Sequence, residues 1–264
     1  MSATAQTQSV AAALAALHAD GVGVVPDVLS AAATTRVRAA LLDAAHESER
    51  RGVPTFMPAL DPNAANVRVF NLLDMHPVFR ELIVHPVALQ IVRALLGEHI
   101  SISNFTANIA RPGSRSMSLH SDQALVVPEP WFAPWSMNII WCLDDVYLEN
   151  GATLYLPRSH RCTRRELLPV QPHLQLQPML AQRGSIVAMD GRVWHTSGAN
   201  VTEAAERALL FGYYCVDFLR PQVNWNATLS SATQAQVSTE LAELLGLGPT
   251  GNTRVAGEVL SARL

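Results

Sequence analysis

His120-Ser121-Asp122, answered 73 residues further on by His195 and twelve after that by Arg207, is the pattern that most restricts the fold of this chain. Two imidazoles and a carboxylate can share one ion only if distant segments are brought side by side and residues 120 and 122 face the same way. Residues i and i+2 share a face on an extended strand and diverge on a helix. The stretch beyond Pro112-Gly113 can be extended, so the second pair has chelating geometry. His18-Ala19-Asp20 ends an Ala/Leu-rich run of helical character (Val10 to Leu17), and reads as a solvated, structural pair. Two His and one carboxylate on one side of a metal leave the opposite positions open, the arrangement suited to non-haem Fe(II) oxygenases.

The flanks of His195 fit a sheet. Gly184 to Met189 reads as a buried strand, Asp190-Gly191 as a hairpin turn and Arg192 to Thr196 as the returning strand. His195 then lies on an inner face, and alternation sends Trp194 to the other side, into the core. Arg207 opens a further strand, Ala208 to Val216. An Arg beside a metal suits a carboxylate or phosphate, with Arg111, Arg115, Arg183 and Arg192 as lesser candidates.

Upstream, the periodicity predicts helices over Val10 to His18, over Ala31 to Arg51 behind a Ser30 cap, and over Pro77 to Leu96, stopping at Gly97. Gly52 to Asn66, with isolated Phe56 and Met57, reads as a loop able to close over a pocket. From His99 onward short extended segments alternate with turns, which predicts a sandwich or barrel-like core. The whole is mainly β with helical additions. At 264 residues and 49% hydrophobic content the chain fits one domain. Its expected parts are a mainly helical support (about 1–98), a β core (99–225) and a C-terminal extension (226–264).

A net charge of −3 and a pI near 6.3 leave no basic footprint for nucleic acid or an anionic membrane. Cys142, Cys162 and Cys215 show no CxxC spacing, so disulfides are not expected. The N-terminus has neither a basic segment nor a long apolar run, which predicts a cytoplasmic protein. The charge balance makes a small molecule the expected partner, with the chain a monomer or homodimer.

Several ordered motifs carry a resemblance across about Gly21 to Trp225. They are Gly21-Val22-Gly23-Val24-Val25-Pro26-Asp27-Val28-Leu29, Leu119-His120-Ser121-Asp122, Asn138 to Asp145, Glu149-Asn150-Gly151-Ala152-Thr153, Leu156-Pro157-Arg158-Ser159-His160 and Trp194 to Asn200. The chain resembles the phytanoyl-CoA dioxygenase family of Fe(II)/2-oxoglutarate-dependent oxygenases. The resemblance implies a double-stranded β-helix (jelly-roll, cupin-like) core buttressed by N-terminal helices. It also implies iron on His120, Asp122 and His195, the far carboxylate of 2-oxoglutarate on Arg207, and polar contacts to this co-substrate from Asn138 and Thr153. With O2 such an enzyme oxidises an unactivated C–H bond, most simply by hydroxylation, and releases succinate and CO2. Arg158 stands where members usually have Gly, and Met117 and Ser118 where relatives often place a Gln.

Candidates for the substrate side are Trp131, Trp135, Phe56, Met57 and Tyr213. His160 reads as a structural hydrogen-bonding residue, and Asp144 and Asp145 as solvated turn residues. The expected substrate is a mostly apolar small molecule of specialised metabolism. An acyl-CoA is the alternative, its phosphates meeting the Arg158, Arg161, Arg164 and Arg165 group. A non-catalytic ligand-binding β-helix protein and a zinc hydrolase are the rival classes.

Overall fold

A computed structural model describes residues 3–125, 127–247 and the strand pair 254–255 and 258–259. In chain order the elements are α1 (Ala3–Asp20), β1 (Val22–Val25), α2 (Ala31–Arg50), β2 (Asn66–Val69), α3 (Leu72–Met75), α4 (Pro77–Ile83), α5 (Pro86–Leu96), β3 (Ile100–Ala110) and β4 (His120–Ser121). β5 (Ser136–Cys142), β6 (Leu154–Tyr155), β7 (Gln177–Pro178), β8 (Ile186–Asp190), β9 (Trp194–Thr196) and β10 (Arg207–Val216) follow, then α6 (Trp225–Thr228), α7 (Ser231–Gln234) and α8 (Thr239–Leu244).

These ten strands form two antiparallel sheets, a larger one in the order β1-β8-β5-β10-β3-β2 and a smaller one in the order β4-β9-β6-β7, and strands 254–255 and 258–259 pair with each other apart from them. These are the facing sheets of the expected double-stranded β-helix. Strand alternation sorts the core. Met137, Ile139 and Trp141 of β5, with Ile186, Ala188, Ala208 and Leu210 of its neighbours, pack under the helices. Ile140, Cys142, Val187, Met189 and Leu209 face the smaller sheet. Because both faces of β5 are covered, its sequence reads as an almost unbroken apolar run. Trp225, Leu229, Leu241, Leu244 and Leu245 bring the C-terminal helices onto the same core. No helix among the described residues is long and apolar enough to cross a membrane.

Three local expectations change. The helix over 77–96 is two helices, because the residue before Pro86 is steered out of the α region and Pro86 has no N–H to give. His76 and His85 cap the two pieces, each Nδ1 accepting the backbone N–H two residues on, at 3.0 and 3.3 Å. The Asp190-Gly191 turn is not a hairpin: β8 pairs with β1 and β5, whereas β9 pairs with β4 and β6, so the chain crosses from one sheet to the other here. The crossing needs Gly191, since a Cβ there would stand 2.2 Å from Ser136 Oγ. The helical first hundred residues also supply β1 and β2, the two edges of the larger sheet. Arg158 does take the left-handed conformation, with φ 65°, at a strain of about 1–2 kcal/mol.

Candidate active site

The metal-binding pattern is assembled by one pairing. β4 and β9 run antiparallel with His120 opposite His195, and the rings lie 4.4 Å apart, centroid to centroid. Asp122 follows β4 in a short 3-10 turn, which swings its carboxylate back towards both rings. Its Oδ1 stands 3.6 Å from His120 Nε2 and 3.8 Å from His195 Nε2, and the three donor atoms lie within 4.8 Å of one another. These gaps are too long for hydrogen bonds and match what two bonds of about 2.0–2.2 Å to a shared ion span.

The surroundings fix the donors. His120 Nδ1 meets the Ser118 carbonyl at 2.8 Å and His195 Nδ1 the Val193 carbonyl at 3.1 Å. A carbonyl can only accept, so each Nδ1 carries its hydrogen and each Nε2 keeps a lone pair for a metal. Burial holds the His195 ring below the usual imidazole range, which also keeps it neutral. Asn138 Nδ2 donates to Asp122 Oδ2, and Tyr213 donates its hydroxyl to the Asp122 backbone carbonyl at 3.0 Å. The donor set and its supports fit a divalent metal.

Beside the triad lies a cavity of about 200 Å³. At its wall Arg207 is 1% exposed. Its Nη2 donates to Asn108 Oδ1 at 3.1 Å, its Nε has no partner, and among the described residues no carboxylate lies within ion-pair distance of it. Desolvation lowers this guanidinium to about 10. An unpaired buried cation facing a cavity is costly unless an anion completes it, and 2-oxoglutarate offers a carboxylate at the end remote from its chelating atoms. The other arginines considered are committed or outside: Arg192 forks onto Asp190 at 2.7 and 3.0 Å, Arg183 donates to Thr35, Arg111 pairs with Glu206 at 3.4 Å, and Arg115 is exposed.

Comparison with known proteins places the chain in a family. The phytanoyl-CoA dioxygenase (PhyH) pattern matches residues 17–208. The chain belongs to the phytanoyl-CoA dioxygenase family. Dioxygenase af480 of Aspergillus fumigatus is 48% identical over 227 residues, covering 86% of this chain and 74% of that protein. Dioxygenase cdmA of Talaromyces verruculosus is 25% identical over 206 residues, 74% of this chain and 69% of that one. Among solved structures, the non-heme alpha ketoglutarate dependent carbocyclase SnoK from nogalamycin biosynthesis superposes with a TM-score of 0.66 at 22% identity, over 81% of this chain and 87% of its own. HygX of Streptomyces hygroscopicus, solved with nickel and 2-oxoglutarate bound, gives 0.62 at 16% identity over 79% and 88%. This PhyH-family chain is an Fe(II)/2-oxoglutarate dioxygenase, the class expected from its motifs.

Of the residues singled out in the sequence, His120, Asp122, His195, Asn138, Thr153, Arg207 and Tyr213 all line the cavity. Trp131, Trp135, Phe56 and Met57 do not. Trp131 is buried, donates to the Val127 carbonyl at 3.0 Å and packs on Trp194, while Trp135 meets Phe218 edge-on. Loop 52–66 reaches the cavity through Leu60 instead. Asp144 is no free turn residue, since it accepts from Arg38 at 2.8 Å and from the Ala208 N–H at 2.9 Å. Sequence reasoning missed the β3 residues Asn104, Thr106 and Asn108, together with Arg68. Polar residues at every second position of an otherwise apolar strand were the available signal.

Proposed function

We propose that this dioxygenase holds iron on His120, Asp122 and His195, binds 2-oxoglutarate against Arg207, and oxidises a C–H bond of a mostly apolar small molecule in specialised metabolite biosynthesis. The observation that carries the reading is the unpaired, buried Arg207 in the same cavity as a one-sided His/Asp/His donor set. Iron, 2-oxoglutarate and dioxygen together supply oxidative decarboxylation to succinate and CO2 and the removal of hydrogen from an unactivated carbon.

The chain's own residues do the rest. The Ser118 and Val193 carbonyls hold the ring tautomers, Asn138 pins one carboxylate oxygen of Asp122, and Asn108 aims the Arg207 fork. Ile140, Met189, Phe70 and Phe211 give the cavity an apolar lining that keeps water away and suits an apolar substrate. A zinc hydrolase would need a general base, yet Asp122 is the only carboxylate among the lining residues. A CoA carrier is less well supported than a free molecule, because Arg161 is spent on the His18 and Ala19 carbonyls and Arg165 lies over the Trp194 ring.

Anaerobic addition of Fe(II) and 2-oxoglutarate tests this directly. A visible charge-transfer band, followed by succinate on exposure to air, is the expected result. Asp122→Ala should abolish both. Full Fe(II)-dependent 2-oxoglutarate consumption by that variant would overturn the ligand assignment.

A further inference from the structure

The rim of the cavity carries a polar device that neither the metal nor the co-substrate uses. Asn104 of β3 and Gln222, in the turn after β10, both line the cavity and are joined by one hydrogen bond, Asn104 Nδ2 to Gln222 Oε1, at 3.1 Å. Each amide has a second polar atom, and one bond leaves one acceptor and one donor over. The same remains if both amides are turned round, because the two leftover roles merely change places. The same cavity is also lined by the apolar Leu60, Phe70, Leu125 and Phe211.

The backbone is built to hold the pair there. The β3–β10 register slips between Tyr213 and Tyr214, which face Asn104 and Ile102, so Ser103 is an extra residue in the ladder. Such a bulge re-aims the side chains beside it. The buried Ser103 also fastens the opposite segment, its Oγ accepting the Gln222 N–H at 3.0 Å and its carbonyl the Val223 N–H at 3.0 Å. A surface amide pair serving only to tie a turn would not need this second, independent tie.

We infer that Asn104 and Gln222 form a hydroxyl-recognition site, so that the substrate is an apolar skeleton already bearing one alcohol group. A hydroxyl both donates and accepts, and so satisfies the free acceptor and the free donor together; a ketone can use only the donor and a hydrocarbon neither. Asn104 faces Tyr213, which on its other side faces Asn138, the residue that pins Asp122. Two strand spacings, about 10 Å, therefore separate the hydroxyl site from the metal side. The C–H bond oxidised lies several carbons from the bound alcohol, and a reaction that installs or unmasks a hydroxyl precedes this one. This inference rests on the function proposed above.

Calorimetric binding of decalin, its alcohol decalol and its ketone decalone to the anaerobic enzyme loaded with Fe(II) and 2-oxoglutarate tests it. Two added hydrogen bonds should make the alcohol roughly tenfold tighter than the hydrocarbon, with the ketone between. Asn104→Leu and, in the exposed turn, Gln222→Leu should each bring the alcohol to within about twofold of the hydrocarbon, with 2-oxoglutarate affinity measured in parallel to report an intact site. Equal binding of all three probes by the native enzyme, an alcohol preference that survives both substitutions, or no binding of any probe overturns the inference. Failure of the native protein to bind 2-oxoglutarate at all would instead bring down the functional reading beneath it.

Discussion

Replacing Arg207 by Met should make the protein more stable and nearly blind to 2-oxoglutarate at the same time. The guanidinium is desolvated, has no carboxylate within ion-pair distance among the described residues, and falls from its ordinary value to about 10. At about 1.36 kcal/mol per pH unit, that difference costs the folded protein roughly 3 kcal/mol. Because the folded value lies below the unfolded one, the cost is fully present at neutral pH and is relieved only as the pH rises beyond about 10. Met removes the charge but also the hydrogen bond to Asn108, worth about 1 kcal/mol, which leaves a net gain of roughly 1–2 kcal/mol. For a chain of this size the gain raises Tm by about 2–4 °C. On the proposed function the same change deletes one half of the charge pair that 2-oxoglutarate would complete, at about 3–5 kcal/mol, or roughly two to three and a half decades in Kd. Differential scanning calorimetry with and without Fe(II) and 2-oxoglutarate reads both effects. The variant should melt above the native protein when both are unliganded, whereas 2-oxoglutarate should lift the native protein alone. An unliganded variant that melts lower, or an unchanged 2-oxoglutarate Kd, would refute the argument.

Other perturbations have equally defined outcomes. Asn138→Leu frees Asp122 Oδ2 from its donor and should weaken iron binding roughly 10–100-fold, measured by competition with a chelator; unaltered affinity would show that Asp122 needs no support. Asp61→Asn breaks the buried 2.6 Å ion pair with Arg68 and should cost about 3 kcal/mol in urea unfolding, with a loss under 1 kcal/mol counting against the pair as the tie that holds loop 52–66. Arg158→Gly relieves the left-handed strain at an exposed position and should stabilise by about 0.5–1 kcal/mol, visible as a small rise in urea midpoint; destabilisation would mean that the Arg side chain contributes more than its backbone costs.

Much of the metal side was legible because its signal is local. The spacing put residues 120 and 122 side by side, though it is the 3-10 turn after β4 and not strand alternation that brings Asp122 back to His120, and the pairing of β4 with β9 adds His195. Arg207 could be placed by its position at the start of a strand, and its lack of a carboxylate partner among the described residues emerges only when every nearby carboxylate has been located. The aromatic residues went the other way. Trp131 and Phe56 are apolar wherever they lie, and nothing in their spacing says whether a bulky ring packs on Trp194 or on a ligand. The break at Pro86 was readable from the proline itself, since its missing N–H and its clash with the preceding residue act within one turn.

The sequence by itself determined the ligand types, the strand and helix periods and the family, because these depend on residues close in the chain or on ordered motifs. Only the tertiary structure decided that Asp190-Gly191 carries the chain between two sheets, that the β3–β10 register slips at Ser103, and that no carboxylate among the described residues pairs with Arg207. The physical reason is that burial, register and charge pairing are sums over neighbours far apart in sequence. No window of the chain contains them until it has folded.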